Sequence, residues 1–227
     1  MSITKTFVAG VEAAGAAATL AHSGFDSTGS THLVAFSKHE TNNSTLPSYS
    51  DNKGSGTWNK LTQQQNNANL CWGQLHWVKI GTPGASHVVT LNTNAAANFR
   101  TSILWKLNSS SGEIALLDEK FGQGDATSGL AYALADLANP GGLSVVSFCG
   151  VAESVLVTAY TQGTGWAKDF DNGGAVNSTF GQSRGAETGT LITPQATQNA
   201  NGEYAMLAAM FKELLASANS ASVAHLD

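Results

Sequence analysis

Charge is what this chain has least of. Only 12% of its 227 residues are Asp, Glu, Lys or Arg, about half the roughly 25% usual in globular domains. The polar surface must therefore be built from Asn, Ser, Thr, Gln and Gly. Such a surface suits either a permanent assembly or a surface-displayed β-protein. With 11 Lys+Arg, no basic run and a formal net charge of −5, a nucleic-acid partner is excluded, because phosphate binding needs clustered cations. Long apolar runs are missing too. The stretch Ala13 to Ala21 carries Gly15 and Thr19 and falls far short of the ~20 residues of a membrane span. Phe7 to Val11 ends at Glu12, too short and too polar for a secretory leader. The expected site of synthesis is the cytoplasm, with no membrane partner. Cysteine is almost absent. Cys71 and Cys149 have neither CxxC nor Cys/His spacing, which reads as two buried small apolar residues, with a disulfide between sheets left open.

Catalytic grammar is equally thin. Six histidines (His22, His32, His39, His76, His87, His225) are scattered without HExxH or HxH spacing, so strand or surface positions are expected rather than a metal centre. Asp118 and Glu119 are adjacent and face opposite sides of a strand, unlike a carboxylate pair sharing one substrate. Glu153 and Asp169 stand alone. Gly122-Gln123-Gly124-Asp125 lacks the rest of a nucleotide fingerprint, and neither a G-x-S-x-G elbow nor a P-loop occurs. No catalytic, metal or cofactor residue is assigned, and no enzyme is expected.

What is present is a repeated grammar of short alternating runs separated by Gly/Asn/Ser/Thr clusters. Tyr49-Ser50-Asp51-Asn52-Lys53-Gly54 reads as a strand end and a tight turn, with Thr57-Trp58-Asn59-Lys60-Leu61 opening the next strand. Strands are expected at 2–8, 16–21, 31–39, 70–80, 86–93, 100–107, 113–117, 143–149, 155–160, 166–170, 176–180 and 188–192. The segment from Glu203 to Lys212 has helical composition, but the turn before it and the alternation of Tyr204, Met206 and Ala208 favour a strand. Elements recurring about every ten residues predict an all-β protein, a single antiparallel β-sandwich of jelly-roll type. The expected core includes Leu33, Ala35, Val78, Val89, Leu91, Val145, Phe148, Leu156 and Met206. The domain is read as 1–215. Residues 216–227 form a C-terminal tail or assembly arm, and Met1 to Gly24 is a second candidate arm.

Five tryptophans (Trp58, Trp72, Trp77, Trp105, Trp166) serve either as core or as a flat platform for sugar rings. Trp72 and Trp77 have opposite parity, so at least one is core. Candidate ligand or interface residues are Trp58, Trp166, Asp51 and Asn52. The Asx-rich turns could carry Ca²⁺, but neither matches an EF-hand loop, and self-bonded turns account for them.

The order of segments resembles a family of jelly-roll β-sandwich domains in phage virion proteins and some bacterial surface proteins. It rests on Leu33-Val34-Ala35-Phe36, Ser50-Asp51-Asn52-Lys53-Gly54 with Thr57-Trp58-Asn59-Lys60-Leu61, Leu75-His76-Trp77-Val78-Lys79, Ser86-His87-Val88-Val89-Thr90-Leu91, and the closing Tyr204 to Lys212. The chain departs at Ile103 to Leu107 and carries an extra polar segment around Phe121 to Asn139. The resemblance implies a non-enzymatic virion protein of capsid decoration (cement) or tail-fibre type. Its partners would be the major capsid protein or other virion proteins, in a homo-oligomer that is a trimer by analogy. The alternative is a carbohydrate-binding adhesin with a glycan as partner.

Overall fold

The structure is a computed structural model describing residues 2–40, 46–66, 71–153, 156–173 and 178–214. The tail at 216–227 lies outside the described residues. Sixteen strands and no helix run along them: β1 Ile3–Phe25, β2 His32–His39, β3 Ser48–Asp51, β4 Asn59–Gln65, β5 Trp72–Lys79, β6 His87–Ser109, β7 Ile114–Ala126, β8 Ala131–Ala133, β9 Leu137–Ala138, β10 Val145–Glu153, β11 Tyr160–Gln162, β12 Ala167–Asp171, β13 Thr179–Glu187, β14 Leu191–Ile192, β15 Gln195–Gln198 and β16 Gly202–Glu213. The protein is all-β, and every pairing is antiparallel.

One sheet has the order β1-β6-β2-β5-β4, with β3 also paired to β6; the second has the order β12-β13-β10-β16-β7. Their facing sides supply one core that includes Val34, Phe36, Leu75, Ile103 and Trp105 from the first sheet and Val146, Phe148, Leu207 and Phe211 from the second. This is a sandwich. The first six strands all enter one sheet. Close approach depends on glycines opposite bulky side chains. A Cβ on Gly150 would lie 2.3 Å from the Phe36 ring, and one on Gly181 would lie 2.6 Å from Ile103. Large side chains on one leaf thus seat in gaps left by the other. Both open sides are latched. Thr62 donates to Glu119 at 3.0 Å and Gln64 to Gln123 at 2.6 Å on one side, while Lys5 donates to Ser183 and Asn172 to Glu12, each at 2.5 Å, on the other.

Each sheet is covered on its outer face as well. The first half of β6, with β3 and the end of β1, folds over Leu33, Ala35, Val78 and Leu104 to enclose Tyr49, Trp58, Val89 and Leu91. The small sheet β11-β15-β8 covers Cys149, Val151, Met206 and Met210 with Tyr132, Tyr160 and Ala196. Consequently β2 and β10 are buried along their whole lengths.

Several expectations need correction. The strands at 2–8 and 16–21 are one strand, as are 86–93 and 100–107. Small residues and bulges at Phe7/Ala9, Ala14/Ala17, Ala17/Thr19 and His22/Phe25 let the β1–β6 ladder continue. Residues 3–25 are therefore part of the protein's own sheet, not an arm. Gln63 to Gln65, and Gly122 to Ala126 within the extra polar segment, are strand residues paired to β5 and β16. Leu156 is 48% exposed, because it lies past the end of β10 with no strand beside it. The other expected core residues are buried. The closing segment is a strand, paired to β10 on one side and β7 on the other.

Candidate functional site

Asp51 and Asn52 sit where three turns converge. Asp51 ends β3, and its Oδ1 accepts the backbone N–H groups of Lys53 at 2.8 Å and Ser55 at 3.3 Å, the self-bonded turn its residue type predicts. Asn52 reaches across to the start of β6. Its Oδ1 accepts Val88 N at 2.8 Å, its Nδ2 donates to Ser86 O at 3.0 Å, and its own N–H donates to Val88 O. Ser86 needs that clamp: its φ of 56° is in the left-handed region that a non-glycine residue adopts at a cost.

Beside Ser86, His87 joins the turns. Its Nδ1 is 3.0 Å from Ser27 Oγ and its Nε2 is 3.6 Å from Asp51 Oδ1. Ser27 also accepts Gly84 N–H at 3.0 Å, and its own N–H donates to Gly84 O. Hydroxyl, imidazole and carboxylate are the ingredients of a nucleophilic centre, but their surroundings are those of a tether. Ser27 and His87 are fully buried, and Phe25 stacks on the imidazole at 4.9 Å. Burial holds the His87 pKa below its ordinary value despite the opposing pull of Asp51. Removing the hydroxyl leaves the half-buried Gly84 N–H and the buried His87 Nδ1 without this partner. Ser27→Ala is expected to cost about 1–3 kcal/mol, read as a lower urea midpoint. An unchanged midpoint would remove the tether role.

The tryptophans do not join this cluster as a platform. Trp58 stacks on Tyr49 at 4.8 Å and is 4% exposed. Trp166 is also 4% exposed, donates Nε1 to Thr193 O at 2.9 Å, and has Arg184 over its ring at 5.9 Å. Neither offers a flat face to solvent. Trp72 and Trp77 are half-buried, and Trp77 packs against the inter-sheet core.

The sequence reading does not foresee the polar interior. His22, His32, His39, His76 and His87 all lie in strands, one of the two placements expected, and all are buried; His225 lies outside the described residues. On the outer face of the first sheet, His22 Nε2 meets Ser102 Oγ at 2.8 Å, Ser102 meets Tyr49 OH at 2.7 Å, and His76 Nε2 meets Ser37 Oγ at 3.1 Å. Burial lowers His22 and His39 to about 4 and His76 to about 3. Among the described residues no group of three or more His, Cys, Asp or Glu side chains is placed to hold a metal. Cys71 and Cys149 are free and buried in separate clusters, Cys71 between the two sheets and Cys149 beneath the small sheet.

Glu153 is the acid the sequence reading passed over. It ends β10, fully buried, and neither oxygen has a partner in hydrogen-bonding geometry. Burial raises it to about 8, against weaker opposing pulls from Gln198 and Lys38. Tyr132, Tyr160 and Tyr204 share its field. Asp118 and Glu119, by contrast, have separate partners, Lys120 with Ala138 N for the first and Thr62 for the second, as their opposite parity implies. No family model, curated protein or solved structure matches this chain.

Proposed function

We propose that this is a phage virion structural protein, a capsid decoration or cement protein that binds the coat lattice by surface complementarity. The observation that carries the reading is the inward placement of its chemistry. Five histidines, Lys38, Arg100 and Glu153 are buried, while the chain as a whole is poor in charge. What remains outside is a charge-poor surface on a slab whose central strands are buried on both faces. Such a body holds partners by shape and apolar contact more than by charge. The segment order that resembles phage jelly-roll virion proteins supports the same reading, with a homo-oligomer on the lattice and no cofactor. The carbohydrate-binding alternative loses its main support, since Trp58 and Trp166 are buried.

Quantitative mass spectrometry of purified virions is the test. The expected result is a copy number stoichiometric with the capsid lattice. Absence from virions, or a single copy per particle, would refute the decoration role. A small fixed number confined to tails would transfer it to a fibre.

A further inference from the structure

A lysine in the middle of a β-sandwich core is costly unless something is done with it. Lys38 is such a residue. It lies on β2 with its side chain 0% exposed, and its Nζ is 3.2 Å from Oε1 of Glu40, whose side chain is 16% exposed. Residues two apart on an extended chain share a face. Glu40 continues the line of β2 because its N–H donates to Phe99 O at 3.1 Å. β2 itself is fixed between β5 and β6, so amine and carboxyl are held against each other by a rigid ladder. Cys71, also buried, and Glu153 contribute to the field at Lys38.

We propose that Lys38 and Glu40 condense to an intramolecular isopeptide bond between Nζ and Cδ. The Nζ lone pair attacks Cδ of the carboxyl, the tetrahedral adduct expels the hydroxyl, and one Nζ proton leaves with it as water. The other proton stays on the new amide, so nothing is oxidised or reduced and no co-reactant is needed. Three physical features favour the step. Desolvation pushes the Lys38 amine down and the Glu40 carboxyl up, both toward the neutral forms that react. The fixed 3.2 Å approach replaces a bimolecular encounter with an intramolecular one. The product also exchanges a buried amine and a half-buried carboxyl for one neutral amide.

The test is the intact mass of the full chain, measured denatured. The expected value is lower than the sequence mass by one water, and trypsin is expected not to cleave after Lys38 even in the unfolded chain. Lys38→Met and Glu40→Ala are each expected to show their full sequence masses. Wild-type protein at its full sequence mass, cleaved normally after Lys38, would overturn the proposal. So would a deficit of one ammonia, which would assign the acyl group to an amide side chain instead of Glu40.

Discussion

Acidification from pH 7 to pH 4.5 is expected to unfold this protein through its buried histidines. His22, His39 and His76 are neutral in the fold, with pKa values depressed by burial to about 4, about 4 and about 3 from an ordinary value of 6.5. The unfolded chain binds protons at these positions first, so stability is lost as pH falls through 6.5 toward the folded values. At pH 5 the loss is about 2 kcal/mol for each histidine. Together that is about 6 kcal/mol, comparable with the ~5–15 kcal/mol net stability of a whole domain. The neighbourhood offers no relief. The neighbours of these rings are cationic: Lys60 acts on His76, and Arg100 is the register partner of His39 on β6. His39 has no hydrogen-bond partner on either nitrogen, and the Nδ1 atoms of His22 and His76 have none. Circular dichroism against urea at a series of pH values reads the effect. The urea midpoint should fall steeply below pH 6, and His39→Gln or His76→Gln should move the acid transition to lower pH. A midpoint unchanged between pH 7 and pH 4.5 would mean that these rings are charged in the fold or in contact with water.

The fold was legible where residue pattern and environment agree. Leu33, Ala35 and Ser37 share a face of β2, Trp72 and Trp77 face opposite ways on β5, and Tyr204, Met206 and Ala208 alternate on β16. The strand period alone is enough for those assignments. It fails where both faces of a strand are covered. Ser37, Lys38 and His39 look like a polar exit from β2, yet all are buried, because the outer half of β6 and the second sheet close over them. Nothing local marks that, since the covering elements come from distant parts of the chain. The same holds for the Ser27–His87–Asp51 tether. Each residue reads as an ordinary turn or strand position, and only the convergence of three turns brings the side chains together. Asp51 and Asn52 were legible as turn-formers because Asx side chains bond their own backbone. That Asn52 also clamps the strained Ser86 was not, since φ is not written in the sequence.

Glu153 sets the opposite limb of the pH dependence. Burial raises its pKa from an ordinary value of 4.5 to about 8, so the folded state holds the proton more tightly than the unfolded chain. Its contribution to stability is complete below pH 4.5 and is lost as pH rises through 8. At pH 7 the loss is about 3 kcal/mol, and above pH 9 about 4–5 kcal/mol. The physical source is burial, which outweighs the opposing pull of the Gln198 side chain on a carboxyl whose oxygens find no well-formed hydrogen bond. Lys38 lowers the Glu153 pKa only as a minor contribution. Glu153→Gln keeps the shape and removes the titration. The variant is therefore expected to match the wild type near pH 5 and to exceed it increasingly from pH 7 to pH 9, with a flat alkaline limb in place of a falling one. With the histidines acting from the acid side, wild-type stability should peak near pH 7, between the two sets of buried groups. If Glu153→Gln and wild type had parallel stability profiles across pH 5 to 9, the carboxyl would have to be ionised in the fold. An unseen donor would then be satisfying it at the end of β10.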